Sequence, residues 1–126
     1  MTQDAATIAR ASYEAFANKD RAAIEALIAP DFHFTSPLDN RIDRSTYLER
    51  CWPNSERFEG FDFVHLVPHG DRVFVTYEGR MRDGGRFRNT EMVTVRDGRI
   101  AEVEVYFGWN IPHKAPPGGF LPDGAA

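Results

Sequence analysis

Residues 73–107 read VFVTYEGRMRDGGRFRNTEMVTVRDGRIAEVEVYF, and this stretch decides the fold class. Apolar and polar side chains alternate through Val73–Met81, Phe87–Val95 and Ile100–Phe107, the pattern of strands with one face toward a core. Asp83-Gly84-Gly85 separates the first two runs and Asp97-Gly98 the second two. Both are tight-turn sequences in which glycine supplies a positive φ. Just upstream, Phe61–Val67 predicts another strand, joined to Val73 through the turn His69-Gly70-Asp71. The C-terminal half is therefore a run of hairpin-linked strands.

Working outward toward the N-terminus, the period changes. From Ala5 to Ala17, Ile8, Ala9, Ser12, Tyr13 and Phe16 recur at three- and four-residue spacing and predict an amphipathic helix, capped by Thr2 or Asp4. Asp20 caps a second helix, Arg21–Ile28, and Pro30 stops it. Asp31–Pro37 alternates as a short strand, and Leu38–Asp43 reads as a polar loop. Asp43 then caps a third helix, Arg44 to Cys51 or Trp52, which Pro53 ends. Helices followed by strands mean α+β rather than an alternating α/β fold. The expected architecture is a cone-shaped, curved antiparallel sheet wrapped around three N-terminal helices. Such a sheet leaves a space between its concave face and the helices, and that space is a natural ligand pocket. Toward the C-terminus, a tail rich in Pro and Gly follows Gly108, so the domain is placed at 1–109 and an irregular tail at 110–126.

Composition sets the outer limits. A chain of 126 residues with 42% hydrophobic side chains and ten Phe is one domain that can build its own core. The single cysteine, Cys51, excludes an internal disulfide and a cysteine-based zinc site and suits a reducing compartment. The net charge of −4 argues against binding a nucleic acid backbone. No apolar run approaches the ~20 residues of a membrane span. The opening MTQDAATIAR has no basic stretch ahead of an apolar one, so a cytoplasmic protein is expected. No histidine or acid spacing suggests a metal site, and no Gly-rich phosphate loop suggests a nucleotide; neither metal nor cofactor is expected.

Several segments together resemble the nuclear transport factor 2-like superfamily: Tyr13–Asp20, Leu27–Phe32, Ser36-Pro37, Asp97–Ile100 and Val105–Gly108. This group includes the SnoaL-like polyketide cyclases, ketosteroid isomerase, limonene epoxide hydrolase and scytalone dehydratase. The resemblance implies a cone-shaped α+β barrel, open at one end to a small apolar ligand. One such scaffold hosts many chemistries. Ketosteroid isomerase gives the sharpest comparison. By motif, Tyr13 takes the place of its helix tyrosine and Glu91 that of its hydrogen-bonding acid, the pair that stabilises an oxyanion. Ser36, before Pro37, stands where its proton-moving aspartate would be. A serine hydroxyl is no base at neutral pH without a partner, so steroid isomerisation itself is disfavoured.

The residues add their own reading. Glu91 shares strand parity with Val93 and Val95, so its carboxyl should face the buried side. A carboxylate there must be paired, with Arg57 or Arg41, or protonated. His65 shares parity with Phe61, Phe63 and Val67 and is the best-placed base in the sheet, whereas His33 and His69 should face outward. The catalytic candidates are therefore Tyr13, Glu91 and His65. Ser36, Trp52, Val93 and Phe107 are expected to line the ligand pocket, with Tyr47 and Phe58 near its rim. Glu102, Glu104 and Tyr106 occupy the other face of the last strand, where a second copy would dock to form a homodimer. The expected function is binding of a small hydrophobic carbonyl compound, or proton-transfer chemistry on it by an isomerase, cyclase or dehydratase. A non-catalytic binder of an apolar ligand and a protein-interaction scaffold are the alternatives.

Overall fold

The computed structural model describes residues 4–123. Helix α1 spans Ala5–Ala17 and α2 Arg21–Leu27; strands β1 (Ile28–Ser36) and β2 (Asp39–Asp43) follow, then α3 (Arg44–Arg50) and a 3-10 helix, Trp52–Arg57. Strands β3 (Phe58–His69), β4 (Arg72–Met81), β5 (Arg86–Arg96) and β6 (Arg99–Ile111) complete the chain. Aspartates cap all three α-helices. Asp4, Asp20 and Asp43 accept from the backbone N–H of Thr7, Ala23 and Thr46 at 2.7, 3.1 and 2.9 Å. Thr2, the other cap expected for α1, lies outside the described residues.

The strands form one sheet in the order β2-β1-β6-β5-β4-β3. All pairs are antiparallel except β1 with β6, which is parallel, so the sheet is mixed rather than wholly antiparallel. The helices pack across its concave face. Ile8, Ala9 and Tyr13 of α1 and Ile24 of α2 meet Val73, Val75, Val93 and Ile100 of the sheet in one buried core.

Strand β3 is longer at both ends than the expected Phe61–Val67, and three other differences shape the sheet. The second helix ends at Leu27, and Ile28 already pairs with Ile100; Pro30 is tolerated inside β1 because the ladder is interrupted between Ile28 and His33. The polar segment Asp39–Asp43 is the edge strand β2, where solvent on one side removes the need for apolar alternation. Strand β6 continues beyond Gly108 to Ile111, bending at a bulge instead of ending. Among the described residues, no helix is long and apolar enough to cross a membrane.

Candidate functional site

Between α1 and the concave face of the sheet lies a cavity of about 510 Å³. Its walls are mostly apolar, with Phe16, Phe34, Phe61 and Val105 among them. Its base holds a polar cluster. Glu91 comes from β5 and lies opposite Val75 of β4; Tyr77, two residues further along β4, shares the inward face of Val73 and Val75 and sits diagonal to it. The Tyr77 hydroxyl donates to Glu91 Oε2 at 2.6 Å. From the helix side, Tyr13 donates to Glu91 Oε1 at 3.0 Å. Both tyrosines are buried, and their rings lie 5.3 Å apart.

No cation pairs with Glu91 among the described residues. Arg41 binds Glu102 instead, at 2.8 Å, and Arg57 stands at the cavity wall without a carboxylate partner. Burial therefore acts on Glu91 unopposed by any positive charge and raises its carboxyl above the ordinary glutamate range. The two phenol hydrogen bonds pull the other way, Tyr77 more strongly than Tyr13, without reversing the direction. Burial also raises both phenols, and the neighbouring Glu91 raises them further. Each of the three groups thus keeps its proton to a higher pH than it would in water.

Ser36 and Asp39 also line the cavity. The turn between β1 and β2 folds them together: the Ser36 hydroxyl donates to Asp39 Oδ2 at 2.8 Å and accepts from the Leu38 N–H at 3.0 Å. Asp39 Oδ1 accepts from Arg50 Nε at 2.6 Å, and its side chain is only 9% exposed. The position that the family resemblance gave to a base is thus a serine that holds an aspartate three residues further on. Burial pushes the thiol of Cys51, another lining residue, up to about 11, so it stays protonated and is no nucleophile at neutral pH.

Of the expected site residues, Tyr13, Glu91, Ser36, Val93 and Phe107 line this one cavity, as do Tyr47 and Phe58. Two expectations are corrected. His65 is exposed and does not line the cavity. A β-bulge between Phe63 and His65 inserts Val64, reverses the parity and places His65 opposite Thr76 on the outer face. Trp52 is buried but belongs to the core beneath the cavity, its ring 5.5 Å from Phe16 in an edge contact. Trp52 opens the 3-10 helix, with Pro53 following it in the first turn. Sequence reasoning missed Tyr77 and Asp39. The alternation Val73-Phe74-Val75-Thr76-Tyr77 carried a signal for the first; nothing in the polar segment signalled the second.

Comparison with known proteins agrees with this architecture. A structure from Kribbella flavida is 20% identical over 81% of this chain and 84% of that one, with a TM-score of 0.73. IdmH from Streptomyces antibioticus, a proposed polyketide cyclase, is 25% identical over 82% of this chain and 91% of its own, with a TM-score of 0.70. A proposed polyketide cyclase from Sinorhizobium meliloti is 22% identical over 79% and 93%, with a TM-score of 0.64. None of the curated proteins matches the chain. The model of the SnoaL-like domain matches residues 9–103, from the middle of α1 into β6. With that match laid over this fold, the chain belongs to the SnoaL-like domain family and shares the fold of proteins described as NTF2-like.

Proposed function

We propose that this protein takes a small hydrophobic carbonyl compound into the cavity and moves a proton on it, as a cofactor-independent isomerase, cyclase or dehydratase. One observation carries the reading: a carboxyl with no cationic partner at the base of an apolar cavity, held between two tyrosine hydroxyls. Structural ion pairs do not explain it, and a neutral carboxyl is a hydrogen-bond donor for a ligand oxygen. In this reading the carbonyl oxygen accepts from the Glu91 carboxyl, and the Tyr13 hydroxyl turns from Glu91 Oε1 to donate to the same oxygen. The bond from the adjacent carbon to its hydrogen breaks, and its electron pair becomes the enolate. The developing charge on oxygen is stabilised by donors already in place. Asp39 is the lining carboxylate left to receive the proton and return it at another carbon, a role in which Ser36 orients it. The proposed polyketide cyclases of similar fold support this class, because carbon–carbon ring closure begins from such an enolate.

The test is exchange of the α-protons of 2-tetralone in D2O, followed by NMR at neutral pH. The protein should accelerate exchange over buffer, and Glu91→Gln and Asp39→Asn should each reduce the acceleration by roughly 10- to 100-fold. Exchange at the buffer rate with 2-tetralone bound would overturn the catalytic reading. It would favour a non-catalytic binder, to which the observation that both Glu91 oxygens already accept from tyrosines also points.

A further inference from the structure

The cavity is lined by three charged residues, Asp39, Arg57 and Glu91, and their situations differ. Asp39 is matched by Arg50 at 2.6 Å. Glu91 is half-buried and has no cationic partner among the described residues. Arg57 has no carboxylate within ion-pair distance among the described residues. Three arginines of the neighbouring hairpin are committed elsewhere: Arg80 to Asp62 at 3.0 Å, Arg86 to Glu78 at 2.9 Å and Arg88 to Glu78 at 2.6 Å. Arg72, Arg82 and Arg96 have no carboxylate partner among the described residues, and none of them lines the cavity. Among the described residues, Arg57 alone combines a cation without a carboxylate partner with a place on the cavity wall.

That place is fixed by the backbone. Arg57 is the last residue of the 3-10 helix, and its carbonyl accepts from the Arg82 N–H at 2.9 Å. The next residue is anchored on both counts: the Phe58 carbonyl accepts from Lys19 Nζ at 3.0 Å, and its ring stacks on Phe61 with centroids 5.3 Å apart. The Arg57 side chain is exposed, so it marks the solvent end of the cavity, whereas the Glu91 cluster marks the buried end. Asn54, one turn earlier, lines the same rim and adds an amide donor.

We infer that the ligand of this site is an apolar carboxylic acid, whose carboxylate is held at the rim by Arg57 while its oxo or hydroxy group reaches the Glu91 cluster. A guanidinium presents paired donors that match a carboxylate, and a rim charge selects among ligands of equal shape. The inference deepens the proposed function and rests on it, since it needs the cavity to be a ligand site.

Two probes of the same ring system test it with the full-length protein: 6-hydroxy-2-naphthoate and its neutral methyl ester, each titrated by fluorescence. The acid should bind on the order of fivefold more tightly than the ester, a modest factor because Arg57 is solvent-exposed, and the margin should shrink as salt is raised. Arg57→Gln should bring the acid down to the affinity of the ester and leave the ester within about twofold; Arg57→Lys should keep part of the margin. Equal binding of acid and ester to the wild type, or a margin that survives Arg57→Gln, would overturn the inference and leave the ligand site standing. Binding of neither probe would overturn both.

Discussion

Glu91 is under two opposed influences whose balance can be measured. Burial favours its neutral form, and the Tyr77 and Tyr13 hydroxyls favour the ionised one. Removing either phenol should move the Glu91 titration upward, more for Tyr77→Phe than for Tyr13→Phe, as read by carbon NMR of the labelled carboxyl. The same balance has a consequence for stability. A carboxyl raised in the folded chain keeps its proton at pH values where the unfolded chain, near the ordinary ~4.3, has lost it. Its contribution is therefore complete below the ordinary range and is lost as pH rises through the folded value. Glu91→Gln removes that dependence, so its melting temperature should gain on the wild type as pH is raised from about 5 to about 8. Glu91→Ala should instead cost about 1–3 kcal/mol, because two buried phenols lose their acceptor. A Glu91→Gln variant that loses ground with rising pH would show a hidden cationic partner. The inward direction of Glu91 was legible from its parity with Val93, and the absence of an arginine partner was not, because sequence does not show which of the arginines reaches which acid.

At the scale of elements, the strands whose apolar residues alternate cleanly were legible, and the places where the alternation slips were not. Val64 is such a slip: one inserted residue in β3 carries His65 from the expected concave face to the outer one. Gly108 is another. In β6, Phe107 pairs with Asn89 and Trp109 with Arg88, so Gly108 is the extra residue of a bulge. A Cβ at Gly108 would collide with the backbone carbonyl of Arg88, which cannot rotate away. The bulge leaves Phe107 on the cavity and swings Trp109 over the Arg88 guanidinium, 5.9 Å from the ring centroid. Gly108→Ala should therefore lower stability by about 1–3 kcal/mol in urea denaturation and weaken binding of apolar probes at the rim. Unchanged stability would mean that β6 can relax without the bulge. The edge strand β2 escaped notice for a different reason: an edge exposed to solvent can be wholly polar, and Asp39-Asn40-Arg41 offers the pattern of a loop.

For the molecule as a whole, the outer face of the sheet is the surface not yet accounted for. Val67, Phe74 and Tyr106 are 53%, 40% and 56% exposed on it. The ladder brings Val67, Phe74, Met92 and Glu104 into one row and His65, Thr76, Thr90 and Tyr106 into the next. Its β3–β5 part carries these apolar and neutral side chains, while Glu102 and Glu104 stand beside them on β6, and such a face suits a second copy related by two-fold symmetry. Light scattering at micromolar concentration should give about twice the 14.3 kDa chain mass, and Tyr106→Glu should return the protein to the monomer mass. A wild-type monomer under those conditions would remove the sheet-face dimer. Chain topology was largely legible at this scale, because three capped helices followed by hairpins can bury their apolar faces in few ways. The parallel pairing of β1 with β6 was not, since it joins segments from opposite ends of the sequence.

All three scales converge on the Glu91 carboxyl, whose place in the cavity depends on its strand parity, the curvature of the sheet and the helix that supplies Tyr13. The most direct test is a pH titration of that carboxyl by carbon NMR in the intact protein, with and without bound 2-naphthol. The midpoint should lie above the ordinary ~4.3 of a free glutamate and move higher still when a ligand oxygen accepts a hydrogen bond from the carboxyl. A midpoint at or below that value, or one indifferent to the ligand, would contradict the proton-donating role on which the proposed function depends.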